Sequence, residues 1–236
     1  MLRQHFLLVI AAATLTSAAL IVPTSGLAAH DGWHGVFRDG QAQVMGSGRA
    51  ATESRSIGNF RALELNGIGD VELRLGSAPT LQITADDNLL PYFTTRVEGD
   101  TLVIDSRGSF RTQRSPRIVV TVPDVESVVT KGSGDVRVYN VNNARLSLVT
   151  RGSGDMSAQG RTRDLVVTIQ GSGDSDVRGL ASSSATASVQ GSGDIRVTTN
   201  GALNASVAGS GTIYYAGSPQ PLHVHTAGSG DVIASR

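Results

Sequence analysis

One four-residue motif, returning at a nearly constant interval, constrains this chain more than any other feature. It reads Gly-Ile-Gly-Asp at Gly67 and Gly69, then Gly-Ser-Gly-Asp at Gly132 and Gly134, Gly152 and Gly154, Gly171 and Gly173, and Gly191 and Gly193. It becomes Gly-Ser-Gly-Thr at Gly209 and Gly211, and Gly-Ser-Gly-Asp again at Gly228 and Gly230. From Gly132 onward the spacings are 20, 19, 20, 18 and 19 residues. A fixed period of this length marks a solenoid or array, because one such unit cannot bury its apolar side alone and does so only by stacking.

The residues around each motif give the conformation. Before the glycines, alternate positions are apolar, as in Leu165, Val167 and Ile169, or Leu203, Ala205 and Val207. The interleaved residues are small or polar, such as Thr186, Ser188, Asn204 and Ser206. After the glycines a second short alternation follows, as in Val136 and Val138 or Ile195 and Val197. Period two with β-branched residues means strand, not helix. Each unit therefore reads as strand, glycine corner, strand, polar turn. The expected fold is all-β: a right-handed parallel β-solenoid (β-helix) of about 20-residue coils, stacked about 4.8 Å apart. Glycine suits a corner repeated on every coil, where backbone approaches backbone.

The first 28 residues read as an address. Arg3 supplies the positive start, Phe6 to Val22 the apolar stretch, and Gly26-Leu27-Ala28 the small-residue cut site. Residues 1–28 are thus expected to be a signal peptide. Its removal loses one basic residue and no acid, turning a formal charge of zero into −1. No later segment approaches the roughly 18 apolar residues that span a bilayer. Residues 29–55 show neither strand nor helix period and are expected to be a flexible polar linker. His30, Asp31 and His34 in it read as a solvated start, not a metal site. Residues 56–236 form the expected solenoid domain. Its first part, 56–131, is less regular, as a capping end of a stack must be. It carries strands at Leu81–Thr84 and Arg117–Val122 and a hairpin around Gly99-Asp100.

The stretch Phe60-Arg-Ala-Leu-Glu-Leu-Asn-Gly-Ile-Gly-Asp-Val-Glu-Leu73, then Gly99-Asp-Thr-Leu-Val-Ile104, then the Gly-Ser-Gly-Asp series, resembles the head GIN domain family of putative autotransporter adhesins. That resemblance implies a β-helical bacterial domain of unknown function, with adhesion suggested by the family's name. It carries over no catalytic or binding residues. The chain departs from the name in one respect: its last residues lack the run of alternating strands that a translocating barrel needs.

The repeated aspartate is the sharpest chemical signal. In a stack, Asp135, Asp155, Asp174 and Asp194 form a row, and charges about 5 Å apart repel by roughly 1 kcal/mol in water. Three things offset that: N–H groups of the turn, cations such as Lys131, Arg137, Arg151 and Arg196, or bound calcium. Thr212 replaces the aspartate in one coil and a second acid per site is missing, so a structural carboxylate is favoured over calcium. Arg107, Arg111, Arg114 and Arg117 surround Phe110 and read as a solvated loop, with an anionic surface as the alternative partner. His223 and His225 share one strand face, but two imidazoles alone make a weak metal site.

No cysteine is present, which removes disulfides, thiolate nucleophiles and zinc–thiolate sites. Zero net charge argues against a nucleic-acid footprint. No Ser-His-Asp set, paired carboxylates or phosphate loop stands out. The expectation is an exported, periplasmic or surface, non-enzymatic binding or adhesion module, without cofactor, presenting Ser/Thr/Asp/Arg faces to a glycan or envelope protein. A structural envelope protein that self-associates through its C-terminal coil is the alternative. A carbohydrate-active enzyme is the third reading.

Overall fold

A computed structural model describes residues 43–235. The expected signal peptide, His30, Asp31 and His34 lie outside the described residues. In chain order the strands are β1 (Val44–Met45), β2 (Ala50–Arg55), β3 (Ala62–Gly67), β4 (Asp70–Leu75), β5 (Thr80–Asp86), β6 (Phe93–Glu98), β7 (Thr101–Ser106), β8 (Phe110–Arg111) and β9 (Arg117–Val122). The repeat region follows with β10 (Ser127–Gly132), β11 (Val136–Gly152), β12 (Met156–Gly171), β13 (Ser175–Gly191), β14 (Ile195–Gly209), β15 (Ile213–Ala216), β16 (Leu222–Gly228) and β17 (Val232–Ala234).

From β10 to β17 the coils stack in parallel and in register, forming a β-solenoid. Gly132 pairs with Gly152, Gly171 with Gly191, and Gly209 with Gly228. The inward rows run through the stack and are fully buried: Val128, Leu148 and Val167 before the corner, Val136, Met156 and Ile195 after it. The expected polar turn is not a separate loop. β11 to β14 each leave one glycine corner and reach the next without interruption, bending where the register slips, as between Val138 and Val141. The reason is a third stacked run, in which Val141 pairs with Gly160 and Gly160 with Leu180, so the backbone stays hydrogen-bonded around the bend.

The N-terminal part stacks out of sequence order. β3 lies between β10 and β7, and β4 between β11 and β9. The coil made by residues 101–122 therefore sits outside the coil made by 62–75. A Cβ on Gly132 would lie 2.2 Å from the Gly67 carbonyl oxygen, so the coil that follows the Gly67 corner in the stack needs a glycine corner of its own, which residues 127–134 supply. The outer coil lacks one and closes differently. The Ser106 hydroxyl accepts the Ile68 N–H at 3.0 Å, and the Pro116 carbonyl accepts the Asp70 N–H at 2.7 Å.

Antiparallel strands finish that end, including the expected hairpin β6–β7. β5 pairs antiparallel with β9, and β2 with β5. Residues 50–55, expected within the linker, are thus ordered strand, and β1 pairs with β8. Their sequence shows weak alternation because β2 is an edge strand with almost no buried row. The lead is further clasped by the Ser47 hydroxyl to Asp87 (2.5 Å) and by Arg49 to Asp87 (2.8 Å).

Two hydroxyls, Thr150 Oγ1 and Ser175 Oγ, are buried in the solenoid without a hydrogen-bond partner. An unsatisfied buried hydroxyl is a net cost. Thr150→Val keeps the branched shape and removes the hydroxyl, so it should raise stability by about 1 kcal/mol, read as a higher urea midpoint.

Candidate functional site

The aspartates of the corners meet the expected row, and their charge is offset by a partner the sequence did not name. The Asp135 carboxylate accepts the N–H of Asp155 at 3.0 Å, Asp155 that of Asp174 at 2.8 Å, and Asp174 that of Asp194 at 2.8 Å. Asp194 accepts the N–H of Thr212 at 2.8 Å. Each carboxylate thus ties its coil to the next. Thr212 is tolerated because its coil needs the carboxylate below, not one of its own. Beside this ladder each first-glycine carbonyl accepts two N–H groups of the next coil, as Gly152 does from Ser172 (2.9 Å) and Gly173 (3.2 Å). The bonds to the carboxylates are charge-assisted and so stronger than these neutral ones.

The expected cations are only partly there. Arg137 lies 3.3 Å from Asp135, and Arg196 lies 3.4 Å from Asp174 and 3.5 Å from Asp194. Lys131 pairs instead with Glu64 (2.7 Å), and Arg151 donates to the Gln170 side chain (3.0 Å). One carboxylate oxygen of each ladder aspartate goes to the neighbouring coil. Among the described residues no three His, Asp or Glu side chains gather as a metal site.

Outside the ladder, two residues after each aspartate, runs an outward row: Arg137, Ser157, Asp176, Arg196. Ser157 is the small member. It opens a groove of about 280 Å³ between Arg137 and Asp176, walled by Asp135, Asp155 and Asp174. The groove is shallow, solvated and of mixed charge. Its arrangement suits hydrogen bonding to a polyhydroxylated or zwitterionic group lying flat on the sheet, because donors and acceptors alternate along it. Asp176 and Ser157 were not singled out by sequence. Their signal was present, since both occupy the same offset from the motif, but only the register shows that Ser157 leaves a gap between charged neighbours.

Arg178 donates to Asp176 (2.6 Å) and holds its carboxyl below the ordinary range, against the burial that raises it. A carboxyl depressed in the folded state contributes stability that is complete above its unfolded value and lost as pH falls through the folded one. Arg178→Ala should therefore lower the melting temperature near pH 7, and by less as the pH falls through the depressed folded value of Asp176.

The remaining expected residues lie apart. Arg117 pairs with Glu72 (2.7 Å), and Arg107 lies 3.8 Å from Asp105. Phe110 between them packs on Tyr92 and Phe93, with ring centroids 5.6 and 5.8 Å away. The arginine cluster therefore belongs to the capping end; Arg117 is tied to the groove only through Glu72, the register partner of Arg137. His223 and His225 lie on β16, in register with Asn204 and Ser206.

Comparisons with known proteins agree with this geometry. The sequence profile described as "putative auto-transporter adhesin, head GIN domain" matches residues 59–219. No curated protein matches. The solved structure of a "putative adhesin" from Bacteroides fragilis superposes with a TM-score of 0.69 at 22% identity, covering 81% of this chain and 100% of its own. A "putative lipid binding protein" from Parabacteroides distasonis gives 0.55 at 22% identity, covering 83% and 100%. A "putative adhesin" from the same species gives 0.55 at 20%, covering 82% and 100%. At these identities the likeness is one of fold.

Proposed function

Since the chain belongs to the head GIN domain family of putative auto-transporter adhesins, we propose that it is an exported, non-enzymatic binding module. It acts in the periplasm or at the cell surface and presents the aspartate-ladder groove to a glycan. The observation that carries this reading is the use of the ladder carboxylates. Each holds the next coil's N–H at about hydrogen-bond distance, so the most conspicuous acids of the chain are structural. A hydrolase needs an acid and a base converging on one bond. Here the carboxylates stand in a row on one face. A row of regularly spaced acceptors and arginines matches a polymer better than a single small molecule.

The test is a microarray of bacterial and host polysaccharides probed with the purified protein, then with Arg137→Ala/Arg196→Ala. Saturable binding that falls at least about tenfold in the variant is expected, since losing charged hydrogen bonds costs about 1.5–3 kcal/mol each. Binding unaffected by the double change would move the site elsewhere. Protease treatment of intact and lysed cells checks the address. Digestion only after lysis would restrict the ligand to periplasmic polymers.

A further inference from the structure

The two ends of the stack are built differently. At the N-terminal end the outer strands are β6 and β2, and both carry charge. Arg96 and Glu98 pair on β6, and Glu53 and Arg55 pair on β2 at 3.0 Å. Charged edge strands resist pairing with another chain. At the other end the outer strands are β16 and β17, which among the described residues pair only with β14 and β15. Neither contains Lys, Arg, Asp or Glu. Their inward row is uncovered: Leu222 is 39% exposed and Val224 50%, where the residues stacked behind them, Leu203 and Ala205, are buried.

His223 and His225 occupy the alternate, outward positions of that same edge strand, and both are exposed. Side chains two apart on a strand point to one side, about 7 Å apart. Two imidazoles make an incomplete site, because a closed zinc site takes four ligands. A second copy completes it. If two copies pair through β16 about a two-fold axis at Val224, His223 faces the partner's His225 and His225 faces the partner's His223. Directly opposed residues of an antiparallel pair have Cβ atoms about 5 Å apart. Four imidazoles then stand on one face, within reach of one ion at Zn–N distances of about 2.0 Å. Asn204 and Ser206 lie in register beside them and are placed to hold the free ring N–H groups, as second ligand spheres do. The same pairing covers Leu222 and Val224.

We propose that β16 is a metal-gated homodimer interface, in which one divalent imidazole-preferring ion is held by His223 and His225 of two copies. The interface is self-complementary, as a two-fold contact must be. Zinc is the probe, since imidazole suits zinc, copper and nickel. The site is separate from the groove, so its failure leaves the glycan reading untouched.

Sedimentation of the purified protein in EDTA and then in zinc tests this. The expected result is one chain in EDTA, a doubling of sedimenting mass in zinc with one ion per two chains, and reversal by EDTA. His223→Ala/His225→Ala should stay single in zinc although His30 and His34 remain. Val224→Lys should also stay single while keeping both imidazoles, because it places like charges opposite each other. All these side chains are exposed, so both variants should melt with the parent. A parent that binds zinc without doubling, or a zinc dimer that survives the double histidine change, overturns the proposal.

Discussion

Gly173→Ala is expected to destabilise the solenoid by about 4 kcal/mol or more, a large share of the roughly 5–15 kcal/mol that holds a typical domain folded. The backbone torsions at Gly173 would accept alanine. The obstacle is space: a Cβ there would sit 2.1 Å from the carbonyl oxygen of Gly154 on the preceding coil. That oxygen is main chain and cannot swing away. Relieving the contact means prising two coils apart, which breaks the Gly152 carbonyl's two bonds to Ser172 and Gly173 and the Asp155 bond to Asp174 together. Ser172→Ala in the same corner is the control. Ser172 is exposed, so the loss of its hydroxyl should stay within about 0.5 kcal/mol. Urea melts of the two variants give the comparison. Equal effects would mean that the corner is loose and that the motif is kept for another reason.

Asp174→Ala should cost about 1.5–3 kcal/mol, the range for a hydrogen bond to a charged group. It leaves the Asp194 N–H without its acceptor at 2.8 Å and Arg196 without one of its two carboxylates. Asp174→Asn keeps an oxygen acceptor in the same place and should lose less, because only the charge assistance goes. A ladder held by backbone donors predicts equal melting temperatures in EDTA and in calcium. A calcium-bearing ladder predicts a clear rise with calcium, since a ligand that binds only the folded state stabilises it by mass action. Asp174→Asn would then be as damaging as Asp174→Ala. The two experiments separate the structural carboxylate from the metal ligand.

How these residues read before and after folding differs in an instructive way. The corner glycines were legible because their function is local and repeated: the same four letters recur at the same interval with alternating apolar residues on either side. The aspartate row was legible for the same reason. Its bonding was not. The N–H that donates to each carboxylate lies on the next coil, 18 to 20 residues on, and no spacing rule distinguishes a turn N–H from the N–H stacked above it. β2 was missed because an edge strand on a cap buries almost no row, so the alternation that betrays strands is absent.

What the sequence determined by itself is everything set by nearest neighbours: strand conformation, the glycine corner, the length of a coil and the need for coils to stack. Periodicity is a local property and survives without coordinates. What only the tertiary structure decided is which coil touches which. Residues 101–122 lie outside residues 62–75: Gly132 takes the inner side of the Gly67 corner and Ser106 closes the outer side. The gap at Ser157 exists because register sets it between Arg137 and Asp176. The charged edges fall at one end and the uncharged β16, with its two histidines, at the other. Each of these is a relation between distant segments, fixed by backbone contact across the stack, and none is written in the residues of either segment alone.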